Sequence, residues 1–310
     1  MLLAALLFTA CEGDEEGPSP ATTVRPTGTP ATPAGTGADL PGGKICFSAR
    51  RDGNGEVYLL TPDGERNLTN DPGEDGECDL SPDGKKVAFS SNRDGIYRIY
   101  VVDIEGGDPT QLTSDQLGDY SPRWSTGGDL ISFSRTGDIY IMRSDGSDQR
   151  QVTQAELEQT AGPCKAGAFQ ADWSPDDKKL VFYAASASQQ LGQICIVNVD
   201  GSNLTVVVSD PPGFHVEPAW SPDGQWIAYR SIRDGSHEIR EVRPDGTGDA
   251  NLTNNPAVDI EPGWSPDGQW IVFASDRTGG FDLYMMRPDG SEQARLTTDP
   301  SKDSDPSWGP

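Results

Sequence analysis

The chain has 310 residues, 49 acidic against 24 basic, and a formal charge of -25 at neutral pH, which excludes nucleic acid and anionic membrane surfaces as partners. Thirty-six glycines and 25 prolines make it rich in turns, and two histidines leave little imidazole chemistry. No apolar run is long enough to span a bilayer.

Residues 1–10 are apolar or small and stop at Cys11, after which Glu12, Asp14, Glu15 and Glu16 follow. Phe8-Thr9-Ala10-Cys11 resembles the bacterial lipobox, in which the cysteine is lipidated and becomes the N-terminus. Residues 1–11 are therefore expected to be an export and lipidation segment, with an ordinary signal peptide cleaved near Ala10 as the alternative. Residues 12–43 are mostly Pro, Thr, Gly, Ala and Ser and are expected to be a disordered tether, which leaves 44–310 for one large all-β domain.

That domain is a repeat. Ser81-Pro82-Asp83-Gly84 returns as Ser221-Pro222-Asp223-Gly224 and Ser265-Pro266-Asp267-Gly268, with degenerate copies at Ser125-Thr126-Gly127-Gly128 and Ser174-Pro175-Asp176-Asp177. The residue before each copy is Leu80, Trp124, Trp173, Trp220 or Trp264, and Trp308 continues the series, giving steps of 44, 49, 47, 44 and 44. A period in the forties with several short apolar runs per unit belongs to a β-propeller blade. The last full unit reads as four strands: around Ile260–Trp264, Trp270–Ala274, Phe281–Met286 and Ala294–Thr297. The second and third strands alternate β-branched and aromatic residues, as half-buried antiparallel strands do.

The first unit lacks its inner strand, because Lys44–Ser48 aligns with second strands elsewhere. Asp305-Pro306-Ser307-Trp308 is an inner strand with no blade after it, so it is expected to complete the first blade and close a six-bladed ring.

The unit Pro-x-Trp-Ser-Pro-Asp-Gly followed by Ile-Ala-Phe, Ser-x-Arg-Asp-Gly, Ile-Tyr, Asp-Gly and Leu-Thr resembles the WD40-like repeat of the TolB-type propellers. The resemblance covers residues 44–308 and implies the propeller fold.

Strand parity brings two sets of side chains to one face. Arg51, Arg93, Arg135, Arg233 and Arg277 come from turns between second and third strands. Asp75, Glu77, Asp119, Glu217, Asp259, Glu261, Asp303 and Asp305 come from the starts of inner strands, at the mouth of the central channel. Clustered carboxylates there suit Ca²⁺ or another hard cation; the alternative is that they pair with the arginines. His215 beside Glu217 is the best catalytic candidate, and His237 starts a third strand. The sequence has no Gly-x-Ser-x-Gly, His-Glu-x-x-His or P-loop, so no enzyme is expected. Asn67-Leu68-Thr69, Asn203-Leu204-Thr205 and Asn251-Leu252-Thr253 match the glycosylation pattern but fall in register with other Leu-Thr pairs, so the repeat generates them.

Apart from Cys11, four cysteines are expected to form two disulfides in an oxidising compartment. Of three pairings, Cys46–Cys78 and Cys164–Cys195 are favoured. The first joins neighbouring blades, and the second ties the long insertion, Gln154 to Ala168, to the blade it enters.

These readings point to an exported, monomeric, lipid-anchored binding scaffold in the cell envelope. Its partner is a protein or envelope component, basic in character, bound on the face where the connections into inner strands vary. The competing reading is an enzyme that uses a channel metal on a polysaccharide.

Overall fold

The computed structural model describes residues 40–310, apart from 52, 155–163, 165–166, 187–190, 212 and 234. Cys11, the segment 1–11, all but the last four residues of the expected tether, and most of the insertion 154–168 lie outside the described residues. Those last four tether residues belong to the folded body. Leu40 is buried against Ile45, Phe47 and Trp308, and the Gly42 carbonyl accepts the Trp308 indole N–H at 2.9 Å.

The described residues form a β-propeller of 24 strands. Four sheets have four antiparallel strands each, and an eight-stranded sheet runs from Gly167–Trp173 to Ala250–Asn251. The two halves of the larger sheet meet through one parallel pair, Gly192 with Phe214. The inner strands Asp75–Leu80, Asp119–Trp124, Gly167–Trp173, Phe214–Trp220, Asp259–Trp264 and Asp303–Gly309 touch one another in that order, and the last returns to the first.

The strand patterning differs from the half-buried expectation. Ile271–Ser275 and Asp282–Met286 are buried at every position, and Lys86–Ser91 at all but its first. Each sheet is covered on both faces by its neighbours, so both sides of a strand are core. Phe273, Tyr284 and Ile271, for example, pack with Ala228, Ile239 and Leu252 of the preceding sheet.

The Ser-Pro-Asp-Gly turn is closed by its own side chains. Ser265 Oγ donates to Asp267 Oδ1 at 2.6 Å and accepts the Trp270 N–H at 2.9 Å, while Gly268, at φ 69°, donates its N–H to the Ser265 carbonyl at 2.9 Å. The two degenerate turns complement each other. Thr126 stands where the other turns have proline and so exposes an N–H, which Asp177 of the next sheet caps at 2.7 Å together with the Gly127 N–H at 2.9 Å.

The Leu-Thr ending also has a local cause. The hydroxyls of Thr69, Thr113, Thr153, Thr253 and Thr297 each accept the N–H of a third-strand residue, at 2.9 to 3.1 Å. Asn67 uses its own side chain to cap the N–H groups of Thr69 and Asn70.

The C-terminal strand Asp303–Gly309 pairs with Lys44–Ala49, with Ile45 opposite Trp308 and Cys46 opposite Ser307. Cys46 is disulfide-bonded to Cys78 and Cys164 to Cys195, with Cα separations of 6.2 and 6.1 Å. The first bond joins the closing sheet to the next one around the ring.

Deleting residues 303–310 removes an inner strand and bares an edge of Lys44–Ala49. The whole ring is expected to melt earlier in one step, by more than the roughly 3–5 kcal/mol that Trp308→Ala would cost alone. Thermal denaturation followed by near-UV circular dichroism tests this, and a truncated chain that melts like the full one counts against closure.

Candidate functional site

Counting back from Leu80, Trp124, Trp173, Trp220, Trp264 and Trp308 gives three columns of side chains. Five residues back stand Asp75, Asp119, Ala168, His215, Asp259 and Asp303. Three back stand Glu77, Ser121, Gln170, Glu217, Glu261 and Asp305. One back stand Asp79, Arg123, Asp172, Ala219, Gly263 and Ser307.

The first column does not open to the channel. The carboxylates of Asp75, Asp119, Asp259 and Asp303 are fully covered and grip Arg93 at 2.9 Å, Arg135 at 2.6 Å, Arg277 at 2.8 Å and Arg51 at 3.2 Å. Each guanidinium also lies over an aromatic ring, at 4.9 Å for Arg93 on Tyr100 and 4.5 Å for Arg277 on Tyr284. Stacking of this kind adds about 0.5–2 kcal/mol per contact. The eight carboxylates expected at the channel mouth therefore divide. These four are clasps inside the blades, out of reach of a ligand.

The fifth arginine departs from the pattern because His215 occupies the aspartate position. Arg233 reaches Asp210 at 3.0 Å and Asp249 at 3.2 Å instead. His215 is wholly buried, its Nε2 faces Asp210 Oδ1, and its ring meets Tyr229 edge-on with centroids 5.6 Å apart. Its ring is thus enclosed, and Asp210, whose side chain is half-exposed, stands between it and the surface. His237 Nδ1 accepts from Arg230 Nη2 at 2.6 Å.

The second column faces the channel but serves the backbone. All six of its residues have φ between 47° and 57°, at a bulge in the pairing with the second strand. The carboxylate of one blade caps the bulge N–H of the next: Glu77 takes Ser121 at 2.7 Å, Glu217 takes Glu261 at 2.9 Å, and Glu261 takes Asp305 at 2.6 Å. Glu217 is also paired with Arg230 at 2.9 Å.

The third column was missed by sequence reasoning, although the repeat register alone would have aligned it. Asp79 accepts the Trp124 N–H at 2.7 Å and Asp172 accepts the Trp220 N–H at 2.6 Å, each donor lying on the following inner strand. Asp79, Arg123 and Asp172 line a channel cavity of about 170 Å³ together with Glu217, Glu261 and Asp305. Burial raises Asp79 and Glu77 and pushes Asp172 up to about 6. Burial and then the charges of Asp305 and Glu217 drive Glu261 well above the usual carboxyl range. Among the described residues no group of three or more His, Cys, Asp or Glu is set to hold a metal ion. The channel carboxylates already accept backbone N–H groups, so a Ca²⁺ ion would have to share or displace those caps.

On the same side as the clasps, the connection before Asp119 shows Leu117 at 46% exposure, and the Tyr97 and Tyr120 rings meet at a tilt of 40° with centroids 5.0 Å apart.

Removing one partner of a clasp leaves a buried charge. Arg277→Met is expected to destabilise the ring by about 3–5 kcal/mol, and adding Asp259→Leu to recover most of that; urea denaturation measures both, and a single variant as stable as the parent would contradict the clasp. Glu261 is raised in the fold, so its protonated form is favoured there. Its contribution is full below the unfolded carboxyl value, near pH 4, and declines as pH rises through the folded value. Glu261→Gln should therefore gain stability relative to the parent between pH 5 and pH 8; a pH-independent gap would show that the group does not titrate there.

The model of the TolB beta propeller domain matches this chain twice, over residues 39–167 and 165–310. Among solved structures, TolB from Acinetobacter baumannii superposes with a TM-score of 0.71 at 20% identity, over 86% of this chain and 67% of that one. Oligogalacturonate lyase from Vibrio parahaemolyticus superposes with a TM-score of 0.53 at 16% identity, over 83% and 74%. At such identities these likenesses show the fold alone. A Tol-Pal system protein TolB from Syntrophus aciditrophicus is 42% identical over 50 residues, 16% of this chain and 11% of that protein. The matched stretches span 39% or less of the curated relatives' lengths. With nearly all of its folded body matched by one family model, the chain belongs to the TolB beta propeller domain family.

Proposed function

We propose that the chain is an exported TolB-like propeller, anchored by a lipid on Cys11, that acts as a non-catalytic scaffold for a basic protein or other cell-envelope component. The eight-stranded sheet counts as two blades that meet at one residue pair, which gives six; the cyclic contacts of the six inner strands support that count. The observation that carries the functional reading is the engagement of the reactive-looking side chains within the ring. The arginines hold buried aspartates, His215 is enclosed, and the channel carboxylates cap backbone. What varies is the connections into the inner strands, and a rigid ring with variable loops on one face is suited to recognition. The short likeness to a Tol-Pal system protein supports an envelope setting.

The buried Asp259 and Glu261 are poor places to test binding. Asp115, with its side chain 45% exposed, and Leu117 lie on the surface of a variable connection. Asp115→Lys with Leu117→Ser is expected to recover less partner from native envelope extract than a control carrying Asp145→Lys and Asp200→Lys in turns of the opposite face. Recovery should fall as salt rises. Equal recovery by both variants would remove this face from the proposal. Cell fractionation of Cys11→Ser checks the anchor, since a protein that stays with the membrane is not held by that cysteine. Ca²⁺ titration by calorimetry, with and without oligogalacturonate, tests the metal-enzyme alternative, which product formation would favour.

A further inference from the structure

The sheet that begins with Phe214–Trp220 departs from its sisters at one set of side chains. In two sister sheets the set is closed. Ser91 Oγ accepts Arg93 Nε at 2.9 Å while Asp75 takes Arg93 Nη2 at 2.9 Å, and Ser275 Oγ accepts Arg277 Nε at 2.9 Å while Asp259 takes Arg277 Nη2 at 2.8 Å. The equivalent residues here are His215, Ser231 and Arg233. His215 and Ser231 are direct cross-strand partners, and Arg233 lies two residues further along the same face.

In this sheet the set is open. His215 Nδ1, Ser231 Oγ and Arg233 Nε are each buried without a hydrogen-bond partner among the described residues, and His215 and Ser231 are 0% and 2% exposed. Arg233 directs Nη2 to Asp210 and Asp249, and His215 Nε2 faces Asp210 Oδ1. A carboxylate at Nε2 places the ring hydrogen there and leaves a lone pair on Nδ1. The set then offers one acceptor at Nδ1, one donor at Arg233 Nε and a hydroxyl that serves as either. A cation is unsuited because Arg233 points a donor at the same place, and an anion is unsuited because of the Nδ1 lone pair. A water molecule matches all three, donating to Nδ1, accepting from Nε–H and bonding Ser231.

We infer that His215, Ser231 and Arg233 enclose a buried water site that fixes His215 as the neutral Nε2–H tautomer and, through it, pins to the ring Asp210, whose carbonyl accepts the Gly213 N–H at 2.8 Å. The charged groups facing the imidazole are Asp210, Arg233 and Asp249, and burial holds its pKa below the ordinary value. Fit is close, since a Cβ on Gly213 would lie 2.8 Å from His215 Nε2. His215 is thus a positioning residue for one of the variable connections on the proposed binding face, and the pinning holds whether or not that face binds a partner.

The chain has two histidines, so ¹⁵N-histidine labelling of the full protein gives two ring systems, which His237→Gln assigns. His215 is expected to remain the neutral Nε2–H tautomer from pH 5.5 to 8; the Nδ1–H tautomer, or a protonated ring at pH 7, would overturn the inference. A high-resolution crystal structure should place a water within hydrogen-bond reach of all three atoms, and a direct Ser231–Arg233 bond without water refutes the site. His215→Asp restores the sister arrangement and frees Asp210. Hydrogen exchange at the Gly213 amide, which donates to the Asp210 carbonyl, should then speed at least tenfold with the far-UV spectrum unchanged, and a parental rate would refute the pinning. If that variant does not fold, Ser231→Ala keeps the Asp210 contact, and the His215 Nδ1 resonance should move toward the value of a free acceptor. No movement again refutes the water site.

Discussion

The constraint from which the rest of the ring follows is the bulge in every inner strand. A non-glycine residue at positive φ costs on the order of 1–2 kcal/mol, and the bulge turns its N–H away from the sheet ladder. An unpaired buried N–H costs a further 1–3 kcal/mol or so, so each needs an acceptor from the blade before it. Glu77, Glu217 and Glu261 supply a carboxylate, and where the preceding residue is unsuitable a second-strand serine serves: Ser48 for the Glu77 N–H and Ser134 for that of Gln170, both at 3.1 Å. Five of the six blade junctions are held this way, and the junction onto Phe214–Trp220 is held instead by the Trp220 N–H on Asp172. The acidity of the channel is a consequence of this backbone chemistry.

The same reasoning explains how so negative a chain folds. Acids at the turns on the far face are exposed, and Asp83, Asp145, Asp200, Asp245 and Asp289 each accept from a nearby Ser or Thr hydroxyl and from backbone N–H, which holds them below the usual carboxyl range. The buried acids divide into those with an arginine and those with backbone donors. Only the channel group, with Arg123 and Arg230 as its cations, is short of positive charge. Glu77, Asp79, Asp172 and Glu261 are raised there; elsewhere burial also raises Asp75 despite its arginine and pushes Asp303 and Glu241 up to about 7.

The repeat made the architecture legible: the spacing of Leu80, Trp124, Trp173, Trp220, Trp264 and Trp308 gave the inner strands, and the surplus strand at Trp308 gave the closure seen with Lys44–Ala49. The division of the acids was harder to read. Residues five and three before each tryptophan are two apart and would share a face in a regular strand, so Asp259 and Glu261 look alike in sequence. The bulge breaks that parity, sending one to Arg277 inside the blade and the other to the channel. Asp79 and Asp172 went unnoticed because the other four members of their column are uncharged or basic. The burial of Leu40 could not be read because its neighbours have the composition of a tether.

Departures from the repeat carry the remaining information, and they fall into two kinds. Some are compensated nearby: Asp177 in place of glycine caps the turn in which Thr126 replaces proline, and Asp210 replaces the aspartate lost at His215. Such pairs keep the ring intact and need no functional cause. Arg98 is of the other kind. It stands at the third-strand register position that Glu56, Asp138, Glu238 and Asp282 hold in other blades, and its guanidinium holds the carbonyls of Tyr97 and Leu117 at 3.1 and 3.2 Å. The contact restores hydrogen bonding and leaves the Leu117 side chain facing water, as Leu204 also does; single exposed leucines are ordinary on a protein surface. A loop held in one shape suits the recognition role proposed above, and under that reading this connection, with Asp115 and Leu117 at its surface, is where the proposal is most directly tested.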